Sequence, residues 1–180
     1  MIPEYKRYQG AVLAEIVDGY PGAVSIQEWP GTGRLSCYVL NNSIGLHIKH
    51  SGARLRPWLF TFTQANFESI EMLGSKCQEV FVVLVCWHDG MVCLTGAEFR
   101  SMVAEDAERA WVRVERRKGE WYTVSGPLLV LDGRKPNGID CLIDKLNLST
   151  ASPPRRFALP RISSVFRVPY WRRLWGGTAG

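Results

Sequence analysis

The chain has 180 residues, 46% hydrophobic and 22% charged, which suits one domain with a substantial apolar core and excludes global disorder. Its longest apolar run, Val80 to Trp87, is a buried strand's length and too short to span a bilayer. The polar N-terminal stretch lacks an apolar signal core, so a cytoplasmic protein without a membrane span is expected.

Residues 5–18, YKRYQGAVLAEIVD, place Tyr8, Val12, Glu15 and Ile16 on neighbouring turns and predict an amphipathic helix ended by Gly19. Val24 to Trp29 alternates ahead of Pro30-Gly31 and predicts a strand, and Leu35 to Leu40 predicts a second. After the Asn41-Asn42-Ser43 turn, Ile44 to His50 forms a third, with Ile44, Leu46 and Ile48 on one face and His47 and Lys49 on the other. A loop containing Pro57 leads to a short helix marked by Phe67, Ile70 and Leu73. Val80 to Cys86 is apolar throughout, the pattern of a central strand covered on both faces.

His88-Asp89-Gly90 turns the chain into a strand at Met91 to Leu94. Thr95 to Glu98 has capping-box spacing ahead of a helix reaching about Val103. Trp111 to Glu115 and Trp121 to Ser125 predict a hairpin around Lys118-Gly119, and Leu128 to Leu131 a further strand. Ile139, Leu142, Ile143 and Leu146 recur at helical spacing behind Asn137, read as the cap. Ser152-Pro153-Pro154 divides a domain, residues 1–150, from a tail, 151–180. The elements add up to an α/β (α+β) fold, a central mixed sheet flanked by helices.

The tail holds six arginines (Arg155, Arg156, Arg161, Arg167, Arg172, Arg173) and no acid, leaving 16 basic against 17 acidic residues in 1–150. The arginines alternate with Phe157, Phe166, Tyr170, Trp171 and Trp175. Arginines neutralise phosphates and aromatics stack on bases, so nucleic acid is one natural partner. An acidic groove on a larger protein complex and a membrane surface are others, and a tail that packs back on its own domain is the further reading. Upstream, Ser51 to Phe62 sets Arg54 and Arg56 beside Trp58, a combination suited to phosphate contact and stacking or to a loop packing on its own domain.

His47 with Lys49 reads either as a phosphate-binding pair or as ordinary polar residues of a half-exposed strand. The five cysteines (Cys37, Cys77, Cys86, Cys93, Cys141) show no C-x-x-C spacing and are expected to be reduced and buried. The three histidines do not complete a zinc set. No nucleophile elbow occurs, and Gly31-Thr32-Gly33 is not followed by G-K-[ST].

The order helix, strand, strand, strand, helix, strand over residues 5–87, with Glu15 on the first helix and Lys49 on the third strand, resembles the core of the PD-(D/E)xK nuclease superfamily. The resemblance covers about half the chain. It implies a restriction-endonuclease-like core with a C-terminal hairpin extension. In that family two carboxylates hold a divalent cation, Mg²⁺ in a catalytic form, beside the scissile phosphate, and the lysine positions or activates water.

Glu15 matches the helical Glu and Lys49 the lysine, while His47 stands at the acidic position two before it. No Asp or Glu occurs between Arg34 and Lys49, which leaves Glu28 as the second candidate metal ligand and makes the motif degenerate. The expected function is a nucleic-acid-associated binding or accessory subunit with a nuclease-like fold, inactive and without a cofactor. The alternatives are a metal-dependent endonuclease acting on DNA or RNA, and a protein-interaction module docking through its Arg/Trp tail.

Overall fold

Residues 1–29, 36–104 and 108–150 are described by the structure, a computed structural model. Two strands lie at its centre, because their side chains find apolar cover on both faces. These are β3 (Ile44–Ser51) and β5 (Glu79–Cys86), paired in parallel from Ile44 opposite Glu79 to Ser51 opposite Cys86. Around them β1 (Ile26–Glu28), β2 (Cys37–Leu40) and β6 (Met91–Thr95) complete a five-stranded sheet of order β1-β2-β3-β5-β6. Every pairing in it except β3 with β5 is antiparallel. Asn41 and Asn42 form the β2–β3 turn with left-handed φ of 47° and 53°, a conformation asparagine tolerates. Gly90, at φ 140° between β5 and β6, is required as glycine, since a Cβ there would overlap Asn137 Oδ1.

The segment expected to be a loop, Ser51 to Phe62, contains a strand instead. In β4 (Trp58–Thr63), Trp58, Phe60 and Phe62 are buried and Leu59, Thr61 and Thr63 face out. This strand leaves the central sheet and pairs with β7 (Arg109–Glu115), which pairs with β8 (Thr123–Ser125), in a second, antiparallel sheet of order β4-β7-β8. The hairpin at 109–125 is therefore part of a separate sheet and does not extend the central one.

Three layers result. On one face of the central sheet, α1 (Glu4–Gly19) sets Tyr8, Val12 and Ile16 against Leu46, Ile48, Phe81 and Val83. The helix α4 (Asp140–Thr150) adds Leu142 and Leu146 to the same cluster. On the other face, Val82, Leu84, Val92 and Leu94 meet α2 (Gln64–Lys76), α3 (Gly96–Met102) and the inner face of the second sheet. Phe62 lies 4.6 Å from Phe99, centre to centre, where these elements converge. Burying each such side chain contributes roughly 1.5–3 kcal/mol. Gly45 lets α2 close on β3, because a Cβ there would lie 3.0 Å from Leu73 Cβ.

The Thr95–Glu98 capping box is present, with Thr95 N–H donating to Glu98 Oε2 at 2.9 Å and Glu98 N–H donating to Thr95 Oγ1 at 3.2 Å. Two local expectations are corrected. Leu128 to Leu131 contributes only an isolated bridge between Ser125 and Val130. Asn137 does not cap α4, because its Oδ1 accepts from Met91 N–H at 3.0 Å and fastens the 135–139 segment to β6. Among the described residues no helix is long and apolar enough to cross a membrane.

Candidate functional site

Strand parity decides where the first candidates go. His47 and Lys49 do share a face of β3, the face toward α2 and the second sheet, but His47 is not half-exposed. It is fully buried, with Nδ1 3.1 Å from Cys37 Sγ and its ring tilted against Phe62. Burial, reinforced by the charge of Lys49, pushes its pKa down to about 3, so the imidazole is neutral. Burial also pushes the Cys37 thiol up to about 12. A neutral thiol beside a neutral imidazole is a packing contact and not an activated nucleophile. Nε2 of His47 has no hydrogen-bond partner among the described residues.

Lys49 is half-buried, its pKa lowered by desolvation. Its Nζ donates to Asn66 Oδ1 at 2.9 Å and sits 5.1 Å from the centre of the Phe62 ring. Asn66 also accepts from Thr63 N–H at 3.1 Å in the capping box of α2, so Lys49 ties β3 to the start of that helix. No carboxylate pairs with Lys49 among the described residues.

The two acids proposed as its metal-holding companions lie on the opposite face of the sheet. Glu15 is on the solvent side of α1, whose buried residues are Tyr8, Val12 and Ile16. Glu28 is exposed on β1 opposite Tyr38, whose hydroxyl donates to Gln9 of α1 at 3.1 Å. With the sheet between them and Lys49, the two carboxylates do not assemble the site that the family resemblance implies. Among the described residues no group of three His, Cys, Asp or Glu is placed to hold a metal ion.

The second set of candidates gathers other residues around it. Trp58 is corrected: it is buried, donates Nε1–H to Ala53 O at 3.0 Å and packs edge-on against Tyr122, so no base can stack on it. Arg54 and Arg56 are exposed at the C-terminal ends of the parallel strands. The Arg54 guanidinium lies 5.4 Å from the centre of the Trp87 ring, and Trp87 stacks on His88 at 3.8 Å. Arg56 Nη1 donates to Arg116 O at 2.7 Å, drawing the β3–β4 loop against the β7–β8 hairpin.

Arg116 in turn donates Nε–H to Asp89 Oδ2 at 2.8 Å and covers the Tyr122 ring at 4.2 Å. Tyr122 donates its hydroxyl to the same Asp89 oxygen at 2.8 Å, and burial together with that bond pushes the phenol up. Asp89, expected to be only a turn residue, is thus the fixed point of the cluster. Arg117 and Lys118 are exposed at the tip of the hairpin. Arg54 and Arg56 on the β3–β4 loop and Arg117 and Lys118 at the hairpin tip are all exposed. Arg116 and Arg117 adjoin the turn expected at Lys118-Gly119, and the approach of Arg116 to Arg56 is a tertiary fact.

Elsewhere, an open cleft between α2, the start of β5 and α3 is lined by Glu71, Glu79 and Arg100, a mixed charge at the opposite end of β5. Cys141, at the start of α4, hydrogen-bonds with Cys93, and that bond holds its thiol below the ordinary value. All five cysteines are outside disulfides. The tail candidates Arg155, Arg156, Arg161, Arg167, Trp171, Arg172, Arg173 and Trp175 lie outside the described residues. No protein-family model, curated protein or solved structure matches the chain.

Proposed function

We propose that the protein is a nucleic-acid-binding or accessory subunit with a nuclease-like α/β core, and that it does not cut its ligand. The observation that carries this reading is the Arg56–Arg116 hydrogen bond, which joins two basic loops into one surface. Guanidinium groups bind phosphate oxygens in pairs, and cations gathered on one end of a domain recruit a polyanion through counterion release. The run α1, β1, β2, β3, α2, β5, interrupted only by β4, is the element order on which the nuclease likeness rests. Separation of Glu15 and Glu28 from Lys49 by the sheet supports the inactive reading over the endonuclease one.

The test is fluorescence polarisation of labelled DNA and RNA, single-stranded and duplex, between 50 and 200 mM salt. Four phosphate contacts give a slope of roughly −3 to −4 in log affinity against log salt. The double variant Arg54→Ala, Arg56→Ala is expected to flatten it by roughly 1–2. Absence of salt-sensitive binding to any of the four ligands would end the proposal. In parallel, Mg²⁺- or Mn²⁺-dependent cleavage that disappears in Lys49→Ala would replace it with the endonuclease reading.

A further inference from the structure

Among the described residues nothing covers the outer face of the second sheet, and its residues are not those of an inert surface. The register sets Thr61 opposite Trp111 and Leu59 opposite Arg113, which is itself opposite Ser125, all on the solvent side. Trp111 is 42% exposed, Leu59 57% and Trp121, just before β8, 60%. Burying an indole against the protein's own core would have been favourable by a few kcal/mol. Arg109 and Arg113 stand two residues either side of Trp111, and strand periodicity puts all three on one face. The acid on that stretch, Glu115, is paired with Arg113 at 2.7 Å. At its far end the face runs into the hairpin tip with Arg117 and Lys118.

We propose that this face is a stacking platform for unpaired bases, so that the protein's ligand is single-stranded nucleic acid. The inference rests on the nucleic-acid reading above and specifies its ligand. Flat antiparallel sheets with projecting aromatics meet bases through their π-faces, which a duplex hides within its stack. Arg109, with Arg117 and Lys118 at the hairpin tip, supplies the charge complement for the backbone that runs beside those bases. Trp111 and Trp121 lie roughly 15–20 Å apart along the hairpin, the reach of a few nucleotides.

The experiment is fluorescence polarisation of the full chain with a labelled 20-nucleotide thymidylate strand and with a duplex of equal length, using wild type, Trp111→Ala, Trp121→Ala and Trp111→Phe. Circular dichroism checks that each variant is folded, which the exposure of both tryptophans favours. Wild type is expected to prefer the single strand, and each alanine variant to lose roughly 5- to 150-fold in affinity for it. The salt slope should stay unchanged, duplex binding should stay unaltered, and Trp111→Phe should retain most of the affinity.

If both alanine variants bind the single strand like wild type while salt-sensitive binding persists, the platform is wrong and the arginine surface stands. If wild type binds no nucleic acid, the functional reading falls and the platform with it. A concentration-dependent dimer that Trp111→Ala abolishes would assign the face to a second copy of the chain and overturn the proposal.

Discussion

His47 shows how one side chain sets a pH dependence for the whole domain. Folded, it stays neutral down to about pH 3, whereas an ordinary histidine takes its proton near 6.5. Between those values the unfolded chain binds a proton that the folded chain does not. Stability therefore rises with pH across that window and is lost as pH falls below 6.5, by roughly 1.4 kcal/mol per unit. In His47→Leu this proton is gone and the orphaned Nε2 with it. Urea midpoints at pH 7 and pH 4.5 are expected to fall less in the variant than in wild type. Equal falls would mean that His47 is solvated in solution. Part of this was legible, because alternation in β3 sets His47 on the face opposite Ile44, Leu46 and Ile48. What alternation could not reveal is that a second layer covers that face, made of Phe62 from β4 and the helix α2.

At the scale of elements, the chain announces itself unevenly. The unbroken apolar run of β5 and the Thr95–Glu98 box are local signals, and the structure contains both. In β4 the alternation of Trp58, Phe60 and Phe62 is just as regular. It was hidden by what precedes it, since Pro57 and two arginines are loop chemistry and the strand begins one residue later. Asn137 failed as a cap because a backbone N–H far away in sequence, on Met91, competes for its oxygen.

The fate of Glu15 and Glu28 was beyond periodicity for a related reason. Glu28 faces away from Lys49 only because β1 pairs with β2 in the register that sets it opposite Tyr38. The packing of α2 on β3 gives a test at this scale. Gly45→Val pushes a branched side chain toward Leu73 and is expected to cost roughly 1–3 kcal/mol, read as a lower denaturant midpoint with an unchanged m-value.

At the scale of the molecule, the net positive charge of the chain lies in residues 151–180. Among the described residues, the apolar clusters on the two faces of the central sheet run from Tyr8 to Leu146. A chain ending at residue 150 is therefore expected to keep the melting temperature of the full one within a few degrees. Removing six arginines should at the same time weaken nucleic-acid binding and flatten its salt dependence. Differential scanning calorimetry beside the polarisation assay separates the two. A large fall in melting temperature would show that the tail belongs to the core.

The placement of β4 has a consequence for synthesis. Its hydrogen-bonded neighbour among the described residues is β7, which follows it by two helices and two strands. A ribosome adding about 5–20 residues per second takes several seconds to travel from Thr63 to Arg109. Throughout that interval Trp58, Phe60 and Phe62 have emerged without the strand that completes their sheet. The nascent chain thus carries an aromatic edge that invites capture by a chaperone or by another nascent chain, and the hazard ends when Arg109–Glu115 arrives.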